Sequence, residues 1–83
     1  MQLIMKLKQD ISIGDNLRTL RKKAGLSQEE VAVKLQVLEQ SISREIISQM
    51  ECGKYSIRIS VLLAMKEIYK VKSMDDFFDG LSL

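Results

Sequence analysis

Apolar residues along this chain recur at spacings of three and four, the period of helices with one buried face. Ile13, Leu17 and Leu20 mark a first such face, and Val31, Ala32 and Leu35 a second. Ile47 and Met50 mark a third, Leu62, Met65, Ile68 and Tyr69 a fourth, and Phe77 and Phe78 a short last one. The pattern predicts five helices, over residues 13–24, 28–38, 44–52, 59–70 and 74–79. Strand-like alternation occurs only at the start, where Leu3, Met5 and Leu7 interleave with Ile4, Lys6 and Lys8. That stretch reads as an arm, a pairing strand or a frayed end.

Punctuation agrees with the periodicity. Gly25, Gly53 and Gly80 each follow a helical run, where a left-handed residue costs least as glycine. Ser27-Gln28-Glu29-Glu30 has the form of a capping box, with Leu26 and Val31 spaced as a hydrophobic staple around it. Ser12-Ile13-Gly14-Asp15 and Ser73-Met74-Asp75-Asp76 repeat the logic with aspartate, and Ser43 and Ser60 are further candidate N-caps.

Composition narrows the class. Eighty-three residues with 46% apolar content suffice for one small all-α core, without room for a deep substrate cleft. No apolar run approaches the length of a membrane span, and the N-terminal charges follow the apolar residues, unlike a signal peptide. One cysteine, Cys52, and no histidine argue against an internal disulfide or a zinc site and fit a reducing cytoplasm. With no histidine, no paired carboxylates in an evident pocket and no phosphate-binding loop, nothing supplies a general base or nucleophile, and nothing calls for a cofactor. The expectation is therefore not an enzyme. Net charge is +2, but Arg18, Arg21, Lys22 and Lys23 cluster early while Asp75, Asp76 and Asp79 gather late. Such runs are most often solvated helix faces; a local basic region also suits a polyanion.

The third helix carries the sharper signal. Ile47 and Met50 form a docking face, while Arg44, Glu45, Ser48 and Gln49 project the other way. Arginine pairs bidentately with guanine, glutamine with adenine, and glutamate accepts from cytosine. A short second helix followed by a helix of this kind is the reading head of helix-turn-helix proteins. Ile46 suits either packing or contact with a thymine methyl.

Residues 13–32, from Ile13-Gly14-Asp15-Asn16-Leu17-Arg18 through Leu26-Ser27-Gln28-Glu29-Glu30-Val31-Ala32, resemble the opening of the Cro/cI-repressor-like (XRE) helix-turn-helix family. Ile47-Ser48-Gln49-Met50-Glu51-Cys52-Gly53-Lys54 resembles that family's third-helix ending, and Leu62 to Phe78 its last two helices. The resemblance implies a five-helix lambda-repressor-like DNA-binding domain over residues 12–79, with an N-terminal arm (1–11) and a C-terminal tail (80–83). Carried over residue by residue, it implies base reading by Arg44, Glu45 and Gln49, which Ser48 joins by its outward position on the helix. Phosphate contacts fall to Ser27, Gln28 and Lys54, with Tyr55 and Arg58 added from the loop that follows. It also implies that Gln28 braces the reading helix and that Glu51 pairs with Arg18 or Arg21 of helix 1. About five residues, Leu38 to Ile42, exceed the family's usual turn, leaving Leu38 and Ile42 in need of a packing site. The apolar end, Phe77, Phe78, Leu81 and Leu83, suits completion of the core, but so many apolar groups in a short tail suggest a homodimer surface. The function implied is a cytoplasmic transcriptional regulator, a homodimeric repressor on a palindromic operator in double-stranded DNA. The alternative is the antitoxin of a toxin–antitoxin pair, binding a toxin protein through that tail. Neither reading involves a membrane.

Overall fold

The computed structural model describes residues 6, 7 and 9–83. Four α-helices carry the fold: α1 (Gly14–Lys23), α2 (Gln28–Val37), α3 (Arg44–Glu51) and α4 (Ile59–Ile68). β1 (Lys6–Leu7) pairs antiparallel with β2 (Ile57–Arg58), setting Lys6 opposite Arg58 and Leu7 opposite Ile57. The strand reading of the N-terminus thus holds at Lys6 and Leu7; Leu3, Ile4, Met5 and Lys8 lie outside the described residues.

The expected fifth α-helix is a 3-10 helix over Met74–Phe78, so among the described residues four α-helices stand where five were expected. Ser73 spends its hydroxyl on the Asp75 N–H, and the chain is already extended at Asp79. That leaves a run too short for more than tightened turns.

α3 packs on both α1 and α2, α4 packs on α2, and the 3-10 helix lies on α1. The expected apolar faces meet in one core: Ile13, Leu17, Val31, Leu35, Ile47, Met50, Leu62, Met65, Tyr69 and Phe77 are buried, joined by Ile57, Val61, Ala64 and Val71. Each large aliphatic or aromatic side chain removed from water there contributes about 1.5–3 kcal/mol before its ordering entropy is counted. Leu38 and Ile42 of the inserted segment are half-buried against this core, which answers their need for a packing site.

Every α-helix ends in the same paired-bond motif. The residue after each C-cap has positive φ: Gly25 (73°), Glu39 (62°), Gly53 (75°) and Lys70 (56°). The next N–H reaches back to the carbonyl five residues earlier, as in Leu26 to Arg21 (3.2 Å), Gln40 to Leu35 (2.8 Å), Lys54 to Gln49 (2.9 Å) and Val71 to Lys66 (2.9 Å). Two of the stops are the expected glycines. Glu39 and Lys70 take the left-handed geometry as ordinary L-residues, a strain of about 1–2 kcal/mol each that the surrounding bonds offset.

Starts agree less uniformly. Ser27 forms the full capping box, its Oγ accepting from the Glu30 N–H while its own N–H donates to Glu30 Oε1. Ser43 caps α3. In α1 the N-cap is Ile13, not Ser12, and the Ile13 N–H donates instead to Gln9 Oε1 at 3.2 Å. Ser60 does not cap α4, whose N-cap is Arg58; its hydroxyl donates to Gln40 Oε1 at 3.2 Å.

Candidate nucleic-acid interface

α3 is amphipathic in the way its sequence requires. Ile47, Met50 and Glu51 face inward, Arg44, Glu45 and Gln49 are exposed, and Ser48 is half-buried. The Ser43 hydroxyl accepts from the Ile46 N–H at 3.2 Å and fixes where the helix begins. Arg44 Nε lies 3.8 Å from Glu45 Oε2; both side chains are more than half exposed, so this pairing yields readily to a stronger partner. Ile46 packs half-buried against the core, which favours its packing role.

The far end of α3 is fixed from three sides. Glu51 is buried with 2% exposure and accepts from Arg21 Nε at 2.7 Å and Arg21 Nη2 at 3.0 Å, a bidentate pair. Gln28 Nε2 donates to Glu51 Oε1 at 3.1 Å. Arg18 Nη2 donates to the Glu51 carbonyl at 3.3 Å, while its Nε stands 3.6 Å from Oε1. Of the two arginines expected beside Glu51, Arg21 makes the close pair and Arg18 supports it. Burial pushes the Glu51 carboxyl up, but the hydrogen bonds from Arg21 and Gln28 and the two guanidinium charges outweigh it and hold it below the ordinary carboxylate value. The same pairing raises Arg21.

Backbone contact closes this knot. Gly14 is buried where α1 begins, and a Cβ there would collide with the Glu51 carbonyl and come within 3.0 Å of the Gly53 nitrogen. Only glycine allows the start of α1 to meet the end of α3 so closely. Tyr69 is also buried, and its hydroxyl has no hydrogen-bond partner among the described residues; burial is the main reason its pKa is raised.

The flanking positions fall on either side of α3. Ser27 is exposed at the start of α2, its side-chain oxygen already accepting from Glu30. Gln28 is half-buried and turns its amide toward Glu51, so it braces α3 as expected. Lys54, Tyr55 and Arg58 are exposed along the loop that follows α3, and no ion pair engages Lys54 or Arg58 among the described residues.

At the C-terminal end the expected surface is divided. Phe77 is fully buried and belongs to the core, not to an exposed face, because the tight 3-10 turn directs it inward. Phe78, Leu81 and Leu83 are exposed and, with Ile11, line a shallow apolar groove of about 380 Å³. Asn16 ties this end to α1, its Nδ2 donating to the Phe77 and Asp79 carbonyls at 2.9 Å each. Asn16 and Gln9 escaped the sequence reading, since each bonds partners more than forty residues away and no local pattern marks such a pair.

No helix among the described residues is long and apolar enough to cross a membrane. A family model described as a helix-turn-helix domain matches residues 12–76 of the chain. No curated protein and no solved structure matches it.

Proposed function

The chain belongs to the helix-turn-helix domain family, and from that premise we propose that it is a sequence-specific transcriptional regulator of the Cro/cI-repressor-like kind. The supporting observation is the free polar face of α3: Arg44, Glu45 and Gln49 stand exposed on a helix whose other face is locked into the core. In this reading α3 enters the major groove, Arg44 and Gln49 bond base edges, Glu45 accepts from cytosine and Ser48 adds a shorter contact. Ser27, Lys54, Tyr55 and Arg58 meet phosphate. Gln28 is assigned chiefly to holding Glu51, with phosphate reached by what remains of its amide.

The protein acts as a cytoplasmic homodimeric repressor, paired through Phe78, Leu81 and Leu83, with two α3 helices about 34 Å apart on a palindromic site. It performs no catalysis and needs no cofactor. Selection of bound sequences from random duplex DNA tests this directly. A dyad-symmetric consensus is expected, with affinity falling steeply as salt rises; failure to enrich any sequence would remove the regulator reading. The apolar groove beside Ile11 favours one second reading, an antitoxin that binds a toxin protein there. Copurification of a toxin-like protein encoded beside it supports that reading, and a purely self-associating chain counts against it.

A further inference from the structure

We infer that Gln9 is a positioning residue: it holds the loop after α3 in the place from which that loop meets phosphate. The inference rests on the DNA-binding reading above. All the hydrogen-bonding capacity of the Gln9 amide is in use. Nε2 donates to the Tyr55 carbonyl at 2.6 Å and to the Met50 carbonyl at 3.3 Å. Oε1 accepts from the Ile13 N–H at 3.2 Å and from the Ser12 hydroxyl at 3.4 Å. One side chain thus joins the N-terminal segment, the start of α1, the last turn of α3 and the loop beyond it.

Apart from Ile57, buried in the core, that loop has few other supports. Gly53 and Lys54 return their N–H groups to the end of α3, at Met50 and Gln49. After Lys54 the chain is held from outside by the Gln9 bond to Tyr55 and then by β1 pairing with Ile57 and Arg58. Both tethers come from the segment at residues 6–9. Lys54, Tyr55 and Arg58 lie exposed between and beside them. A loop fixed before binding loses less freedom on meeting its partner, so the cations it carries bind phosphate more tightly. Gln9 hydrogen-bonds no base-reading side chain among the described residues. Its one bond to α3, at 3.3 Å to the Met50 carbonyl, falls at the end that Arg21 and Gln28 already hold, so its loss acts on affinity and not on sequence preference.

The test measures binding of the full chain to its selected duplex and to a scrambled duplex across a salt series, well below every variant's unfolding midpoint. Four proteins are compared: wild type, Gln9→Met, Lys54→Ala and the double variant. Gln9→Met is expected to weaken both duplexes alike, about 3–10-fold, and to make the log–log salt slope shallower by about 1. Adding Lys54→Ala to Gln9→Met is expected to cost less than about twofold more, because the coupled contact is already impaired. A folded Gln9→Met protein with unchanged affinity and slope overturns the inference, as does full additivity with Lys54→Ala. Should Gln9→Met not fold, Gln9→Asn, one methylene shorter in reach, takes its place with the same readings. A Lys54→Ala protein with the wild-type slope also overturns the inference, since the loop then meets no phosphate, whereas a wild type whose binding ignores salt overturns the DNA-binding reading itself.

Discussion

The two ends of α3 are built on opposite principles. Its first turn is held by the Ser43 hydroxyl and by Ile46 and Ile47 against the core, while its polar side chains, Arg44 and Glu45, meet solvent and each other. Its last turn is gripped by Arg21, Arg18, Gln28 and Gln9 and touched by the backbone of α1 at Gly14. The contrast separates two tasks along eight residues. The fixed end sets the direction of the rod, and the loose end keeps long side chains available to an outside partner.

Substitutions that attack the fixed end should cost most. Arg21→Met removes the bidentate partner of a buried carboxylate and leaves it the Gln28 amide at 3.1 Å and, as remaining positive charge, Arg18 at 3.6 Å. The expected loss is about 3 kcal/mol, the scale of breaking a buried pair by deleting one member, measured by denaturant unfolding. Gly14→Ala forces α1 and α3 apart at their closest approach and should cost about 2 kcal/mol, with the apparent midpoint falling at unchanged m-value.

Acid should loosen the same end. Glu51 has a depressed pKa when folded, so its contribution is complete above the unfolded carboxylate value near about 4.3 and drains away as pH falls through the lower folded value. Stability measured from pH 7 downward should therefore drop below about pH 4. Glu51→Gln should flatten that limb while starting from a lower plateau.

At the loose end the effects shrink. Ser43→Ala deletes the α3 cap and should cost about 1 kcal/mol. Arg44→Ala should leave thermal stability within about 0.5 kcal/mol, its ion pair being exposed, and should register only in base preference at one position. An Arg44→Ala protein destabilised as much as Arg21→Met would erase the distinction between the ends.

What could be read from the residues was what depends on near neighbours. The Ser27–Glu30 box and the Ser43 cap are set by residues three apart, and the sequence shows both. Apolar periodicity located the core faces, because period and burial are the same fact seen twice. The ends of α2 and α4 were placed within two residues, but their left-handed stops were hidden, since Glu39 and Lys70 are not glycines. The last helix was misjudged for a related reason: apolar spacing does not distinguish an α-turn from a 3-10 turn, nor a buried Phe77 from an exposed Phe78. At the candidate interface the exposed residues of α3 were legible. The resemblance pointed to Arg18 or Arg21 beside Glu51, and only packing decides for Arg21. Gln9 was not legible at all, because its carbonyl partners are backbone groups that any sequence would present.

Cys52 caps α3 and is exposed, and it is the single cysteine of the chain. The protein therefore carries its own attachment point, one thiol at the tip of the helix whose orientation matters most. A cleavage reagent or fluorophore coupled there would sit at a known place on that helix. The strand breaks or energy transfer it produced on a duplex would chart how the helix is seated, with no engineered residue required.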